Sequence, residues 1–134
     1  MNASIALVSA DSGRRDARSP WPHYGLTLLA TALRAAGYDA RVFDQSYLRM
    51  SRDEFVGAVA RFSPGLVRIS LYTTYVRKAL ELVRELRAWL PGCHVIAGGP
   101  HVSLYAEDMR ADTTFAALVK MVARRRLPAK AISG

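Results

Sequence analysis

Four short apolar runs alternate with helix-like stretches along this chain, and the alternation limits the folds that it can adopt. The runs cover residues 4–8, 39–43, 66–70 and 94–97. Between them, apolar residues recur at helical spacing, as the leucines near residues 26–33 do in the first interval. Strands separated by helices form parallel sheets with right-handed crossovers. The order therefore predicts one α/β domain over residues 1–134, with helices on both faces of the sheet.

Local signals mark where the helices begin and end. Gly37 stops the first helix, and Ser51 followed by Glu54 forms a capping box for the second. A third helix is predicted over residues 75–90 and a last one over residues 113–127. No apolar run precedes that last helix, so we expect four strands with the fifth missing. The fourth strand would then be an exposed edge that could pair with another chain.

Composition narrows the class of protein. The chain is 51% hydrophobic with a net charge of +8, and its arginines are scattered over predicted helices and loops. Because few aromatics accompany the run Arg124-Arg125-Arg126, we do not expect nucleic acid as a partner. No run is long enough to span a membrane and the start lacks a signal peptide, so we expect a cytoplasmic location. Cys93 is the only cysteine, which excludes an internal disulfide and a cysteine-bound iron–sulfur cluster within this chain.

Two of the apolar runs end in residues suited to contacting a ligand. Residues 69–74 read ISLYTT, and residues 95–101 read VIAGGPH. Ligands of open α/β sheets lie beyond the carboxyl ends of the strands. The hydroxyls in the first segment can contact a ligand, or one of them can cap a helix. The adjacent glycines in the second segment permit close approach of another group to the backbone, or a tight turn.

Other motifs are absent or open to more than one interpretation. The sequence has neither Gly-x-Gly-x-x-Gly after its first strand nor Gly-Lys-Ser/Thr, so the glycines do not indicate a nucleotide site. His23 and His101 could bind a metal, carry a proton or simply form hydrogen bonds. Asp11 and Asp44 follow the first two runs, but the third run ends in Ser70, which argues against a phospho-receiver site. No nucleophile, base and acid can be grouped, so the sequence assigns no catalytic residue.

Taken in order, four segments resemble the cobalamin (B12)-binding domain at the N-terminus of B12-dependent radical S-adenosylmethionine (SAM) enzymes. They are residues 24–38 (YGLTLLATALRAAGY), 42–44 (VFD), 69–73 (ISLYT) and 97–101 (AGGPH). The likeness is strongest over residues 5–103. It implies a flavodoxin-like (Rossmann-like) sheet with a corrinoid over the carboxyl ends of the strands. It also implies that the nucleotide tail of the corrinoid passes beside the hydroxyl and glycine segments.

The resemblance nominates cofactor-binding residues in those two segments. They are Ser70, Leu71, Tyr72, Thr73, Gly98, Gly99, Pro100 and His101. It implies no metal ligand in this chain, with His23 as a candidate only. Mutase-type relatives ligate cobalt through the histidine of Asp-x-His-x-x-Gly, whereas this chain reads Pro22-His23-Tyr24-Gly25 and lacks the aspartate.

The chain also departs from the resembled family. The acidic segment that usually follows the last strand and the three-cysteine motif of the radical domain are missing from the sequence, and Arg68 stands where a small residue is usual. We therefore expect a cobalamin-binding module without its own radical SAM domain, partnered by such a domain in trans or by a second copy of itself. The alternative is a degenerate interaction domain that no longer binds cofactor and pairs through an exposed sheet edge.

Overall fold

The computed structural model describes residues 3–11, 23–111 and 120–121. The strands are β1 (Ser4–Ser9), β2 (Asp39–Asp44), β3 (Leu66–Ser70), β4 (His94–Gly98) and β5 (Lys120–Met121). The helices are α1 (Tyr24–Ala35), α2 (Gln45–Leu48), α3 (Arg52–Phe62), α4 (Val76–Trp89) and α5 (Pro100–Ala111). A single 3₁₀ turn, Thr73–Tyr75, leads into α4.

The strands form one parallel sheet in the order β2-β1-β3-β4-β5. The first connection runs from β1 outward to β2, and the chain then returns past β1 to β3, so the direction of winding reverses between β1 and β3. This arrangement confirms the predicted α/β, flavodoxin-like fold. Ligands of such sheets bind at the carboxyl ends of the strands where the winding reverses.

The two faces of the sheet are covered unequally. Since side chains alternate along a strand, Val67 and Ile69 point into a larger core beneath α3 and α4. A smaller core lies beneath α1 on the opposite face. Its buried members are Ile5, Leu7, Leu26, Ala30 and Ala40. Leu66, Arg68 and Ile96 lie on that second face and are only partly buried.

Two sequence expectations at the C-terminal side are corrected. The fifth strand is not missing, because Lys120 and Met121 pair in parallel with Ile96 and Ala97 of β4. The prediction that β4 is an exposed edge is therefore wrong at Ile96 and Ala97. The predicted pairing of another chain with β4 is wrong at the same two positions. The predicted helix over residues 113–127 is also wrong at residues 120–121, and its remaining residues lie outside the described ranges.

The structure confirms the predicted capping box at Ser51 and the predicted helix stop at Gly37, and it contains two helices that the sequence did not predict. The Ser51 hydroxyl accepts a hydrogen bond from the Glu54 amide at 3.2 Å, and Gly37 ends α1 with a φ of +93°. The one-turn α2 and the kinked α5, which has non-helical backbone angles at Tyr105, are additional. Within the described residues, no helix has the length and apolar character needed to cross a membrane.

Candidate ligand-binding site at the carboxyl edge of the sheet

Two turns at the carboxyl edge are bound directly to each other. We call residues 71–75, after β3, the β3 turn, and residues 98–101, at the end of β4, the glycine turn. The Leu71 amide donates to the Gly98 carbonyl at 2.8 Å, and the His101 amide donates to the Leu71 carbonyl at 3.0 Å. The Thr73 hydroxyl and His101 Nδ1 add a side-chain hydrogen bond of 2.9 Å. The structure thus brings together the two segments that the sequence nominated.

Gly99 makes this close approach possible. Its φ is +99°, a conformation that residues with a Cβ rarely adopt. A Cβ at this position would lie 2.9 Å from the carbonyl oxygen and 3.0 Å from the amide nitrogen of Leu71. Both backbone angle and space therefore require glycine. A simple tight turn would account for the angle, but the contact with Leu71 shows that the second glycine also serves the junction between the turns.

Gly98 makes room for a charged side chain. A Cβ on Gly98 would lie 2.4 Å from Nη2 and 2.8 Å from Cζ of Arg68. The same guanidinium donates through Nη1 to the Ser70 hydroxyl at 2.9 Å. Because Ser70 is buried, this hydrogen bond lies inside the protein. Partial burial disfavours the charged guanidinium and lowers the pKa of Arg68 below its usual value.

His23 caps α1 and joins it to the β3 turn. Its Nδ1 accepts from the Leu26 amide at 3.2 Å, so the proton of the neutral ring is on Nε2, which donates to the hydroxyl of Tyr72. The His23 amide donates to the Asp44 carboxylate at 3.0 Å, and the same carboxylate accepts from the Tyr47 amide at 3.3 Å. Both ring nitrogens of His23 are thus engaged within the chain, which does not favour His23 as a metal ligand.

Tyr75 extends this arrangement toward β1. Its ring stacks on Tyr72 with centroids 5.3 Å apart, and its hydroxyl lies near the buried Ser9. Burial, which disfavours the phenolate, is the main cause that raises the pKa of Tyr75 to about 12.

This shift predicts a pH dependence of stability. Because the pKa of Tyr75 is higher in the folded chain than the ordinary value of about 10, its contribution is complete below pH ~10 and is lost as pH rises toward about 12. Urea denaturation across this interval should therefore show a steeper loss of stability for the wild-type chain than for Y75F, which cannot ionise there. Parallel curves for the two chains would contradict the assignment.

A groove opens on the second face of the sheet, between α1 and α5. We call it the α1–α5 groove, and its volume is about 800 Å³. Strand side chains form its floor, namely Ile5, Leu7, Leu66, Arg68 and Ile96. The wall from α1 carries Leu29 and Leu33, and the wall from α5 carries Val102, Ser103 and Leu104. An apolar lining with few polar groups is typical of small-molecule sites.

The groove meets the glycine turn at its carboxyl end. Of the nominated residues, Gly98, Gly99 and Pro100 line the groove. The other five do not line it and lie in or against the β3 turn. Ser70 and Leu71 have buried side chains, so Leu71 acts through its backbone. Tyr72, Thr73 and His101 are at least partly accessible, and the His101 ring packs on Tyr105 at 4.9 Å.

Sequence reasoning missed the walls of the groove. The spacing of Leu29 and Leu33 predicts a helix, and because they are four residues apart they also lie on one face of α1, where they line the groove. The sequence marks Arg68 only as a departure from the small residue that is usual there, but the alternation of β3 could have grouped it with Leu66 and Ser70 on one face. No cluster of three or more His, Cys, Asp or Glu side chains suited to a metal occurs in the part of the chain that the structure describes.

Comparison with known proteins agrees with this geometry. A family model of the B12 binding domain matches residues 13–129, which is most of the chain. A hopanoid C-3 methylase of Methylococcus capsulatus is 33% identical over 86 residues. That alignment covers 63% of this chain but only 16% of the methylase, so this chain spans a small part of that relative. The chain has a parallel sheet with two joined turns at its carboxyl edge, and the family model matches most of its length. The chain therefore belongs to the B12-binding domain family.

Proposed function

We propose that this chain binds cobalamin at the carboxyl edge of its sheet, with the nucleotide tail of the corrinoid in the α1–α5 groove. The observation that carries the proposal is the apolar groove of about 800 Å³ that opens beside the glycine turn. A corrinoid is a large ring with an extended tail, so its site needs both an accessible edge and a deep recess. The family match supports the same ligand.

The residues at the edge fit such a ligand. Gly99 leaves no side chain between the turns, and the partly exposed Tyr72, Thr73 and His101 border them. The groove walls are leucines, a valine and Ser103, which suit an aromatic base and a sugar. We propose that Ser70, Leu71, Tyr72, Thr73, Gly98, Gly99, Pro100 and His101 form the site, with Ser70 and Leu71 acting as support because their side chains are buried.

The role of the chain would be to hold and orient the cofactor. A bound corrinoid supplies organometallic methyl-carrier or radical chemistry, whereas the protein supplies binding and orientation. The junction of Leu71 with Gly98 and His101 fixes the two turns, and the hydrogen bond of His23 to Tyr72 fixes the start of α1 against them. A radical SAM domain is the proposed partner, because segments of this chain resemble the cobalamin-binding domain of B12-dependent radical SAM enzymes. The similarity of this chain to a part of the methylase fits a domain that works beside a catalytic one.

Spectroscopic titration tests the proposal. Adding the purified chain to hydroxocobalamin should shift the corrin absorption bands and saturate at one equivalent. The coloured cofactor should also elute with the protein on gel filtration. L33W places a larger side chain on the α1 wall of the α1–α5 groove and should abolish both the band shift and the co-elution. R84M, on the opposite side of the sheet, should leave both unchanged. Unchanged spectra with the wild-type chain would overturn the proposal.

A further inference from the structure

Arg68 is the single charged side chain among the described residues that line the α1–α5 groove. Its neighbours on the floor are Leu66, Ile96 and the aliphatic residues of β1. The guanidinium has five N–H donors, and the hydrogen bond described for it is the one to Ser70. Ion pairs in the described part of the chain involve Arg41 and Arg52, not Arg68.

Among the described residues, no carboxylate compensates the cation in this position. A partly buried charge without an opposite charge carries a desolvation cost, which here is also what lowers the pKa of Arg68. The lack of a side chain on Gly98 leaves the Nη2, Cζ and Nε atoms of Arg68 lying directly over the β4 backbone where the groove begins. A planar guanidinium with free donors is well matched to a phosphate group.

The surroundings indicate what else the ligand must contain. The groove beyond Arg68 is lined by Leu29 and Leu33 on one side and Val102 on the other, so it suits an apolar group. A ligand that satisfies both features has an anionic phosphate joined to an aromatic or aliphatic body. Among the parts of cobalamin, the nucleotide tail has this composition, because a phosphodiester links the corrin side chain to the ribose and base.

We propose that Arg68 receives the phosphodiester of the nucleotide tail, and that it makes this site selective for complete corrinoids over those that lack the tail. The inference rests on the proposed function and deepens it. Ser70 holds the guanidinium in place through the Arg68 Nη1 bond and is a positioning residue. The anion replaces the carboxylate partner that Arg68 lacks among the described residues.

Two ligands separate this role from general binding. Hydroxocobalamin carries the nucleotide tail, whereas cobinamide lacks the phosphate, ribose and base. Dissociation constants of both are measured by absorption titration for the wild-type chain, R68M, R68K and R84M. Arg84 is exposed on α4, over the opposite face, so R84M removes the same charge away from the groove.

R68M should weaken hydroxocobalamin binding by about ten- to a hundredfold, as expected for a charge-assisted hydrogen bond, and leave cobinamide binding unchanged. R68K should fall between, because an ammonium keeps the charge but loses the bidentate geometry. R84M should bind both ligands as the wild type does. If R68M unfolds in a thermal scan, R68K replaces it in the test. The ratio of the cobinamide dissociation constant to the hydroxocobalamin dissociation constant should then be smaller for R68K than for the wild-type chain.

Three results would overturn the inference. They are an unchanged hydroxocobalamin affinity in R68M and R68K, a tighter affinity in either variant, or an equal loss for both ligands. The last of these would leave the proposed function standing, since the wild-type chain would still bind cobalamin. Binding of neither ligand by the wild-type chain would contradict the proposed function itself, and this inference with it.

Discussion

Replacing Gly99 by alanine should lower the free energy of unfolding by about 2–4 kcal/mol, the sum of a left-handed backbone cost and an overpacked contact. The φ of +99° penalises any Cβ, and the new atom would lie 2.9 Å from the Leu71 carbonyl oxygen. To relieve this contact the turns must separate, which breaks the bonds of Leu71 to Gly98 and His101. Urea denaturation measures the loss, and hydroxocobalamin titration should show weaker binding by the folded fraction.

The neighbouring glycine provides a matched control. At Gly98 a Cβ meets the end of the Arg68 side chain and not backbone, and Gly98 has no positive φ. Since a flexible side chain can move aside, G98A should cost less than about 1 kcal/mol, within the range of mild substitutions. Equal stability of G99A and the wild-type chain, or a larger loss for G98A, would contradict the described junction between the turns.

Replacing Phe55 by alanine should cost about 3–5 kcal/mol of folding free energy, the range for removing a fully buried aromatic ring. Phe55 lies on α3, is completely buried, and meets the edge of Phe43 with ring centroids 6.4 Å apart. Its loss leaves a cavity between α3 and the sheet in the larger core. Chemical denaturation should show the midpoint shift with little change in the denaturant slope.

Phe62, at the end of α3, is the comparison for that variant. It is only partly buried, and the Arg41 guanidinium covers its ring at 4.5 Å from the centroid. F62A should therefore cost about 1–2 kcal/mol, because less area is exposed and part of the loss is the cation–π contact. A loss in F62A as large as that in F55A would show that the larger core is not centred where the structure places it.

Four of the five strands in the described part of this fold could be predicted almost to the residue. The predicted run over residues 66–70 coincides with β3, and the run over residues 4–8 extends by one residue to Ser9. Such runs are short, apolar and closed by Gly, Pro or polar residues, so both composition and punctuation indicate them. The helices α1, α3 and α4 were found for a similar reason, since each has an apolar face and a clear stop signal.

The remaining elements depend on tertiary contacts. Helix α5 begins at Pro100 directly after Gly99, a start signal that was available, but its kink at Tyr105 breaks the apolar periodicity. The pairing of Lys120 with Ile96 is set by the edge of β4, and a lysine gives no strand signal of its own. The short α2 depends on the Asp44 cap and has no apolar face to reveal it.

The sequence predicted the two turns of the candidate site but not the α1–α5 groove. Gly99 and Thr73 are visible in the sequence, because glycine permits a positive φ and close backbone approach, and Ser or Thr is preferred where a helix begins. The groove is made by residues on β1, β3, β4, α1 and α5 that are distant in sequence. Only the parallel register of Arg68 with Leu7 and Ile96 places that arginine on the floor of the groove.

Leu71 connects the packing of the larger core to the spacing of the two turns, and this connection bears on how ligand affinity can change in evolution. Its side chain is completely buried in the larger core, while its amide and carbonyl hold the glycine turn. Any change of volume beneath this leucine therefore moves both backbone groups together, and with them the spacing of the two turns. Substitutions hidden on the far side of the sheet can thus adjust ligand affinity gradually, without altering a single residue that the ligand would touch.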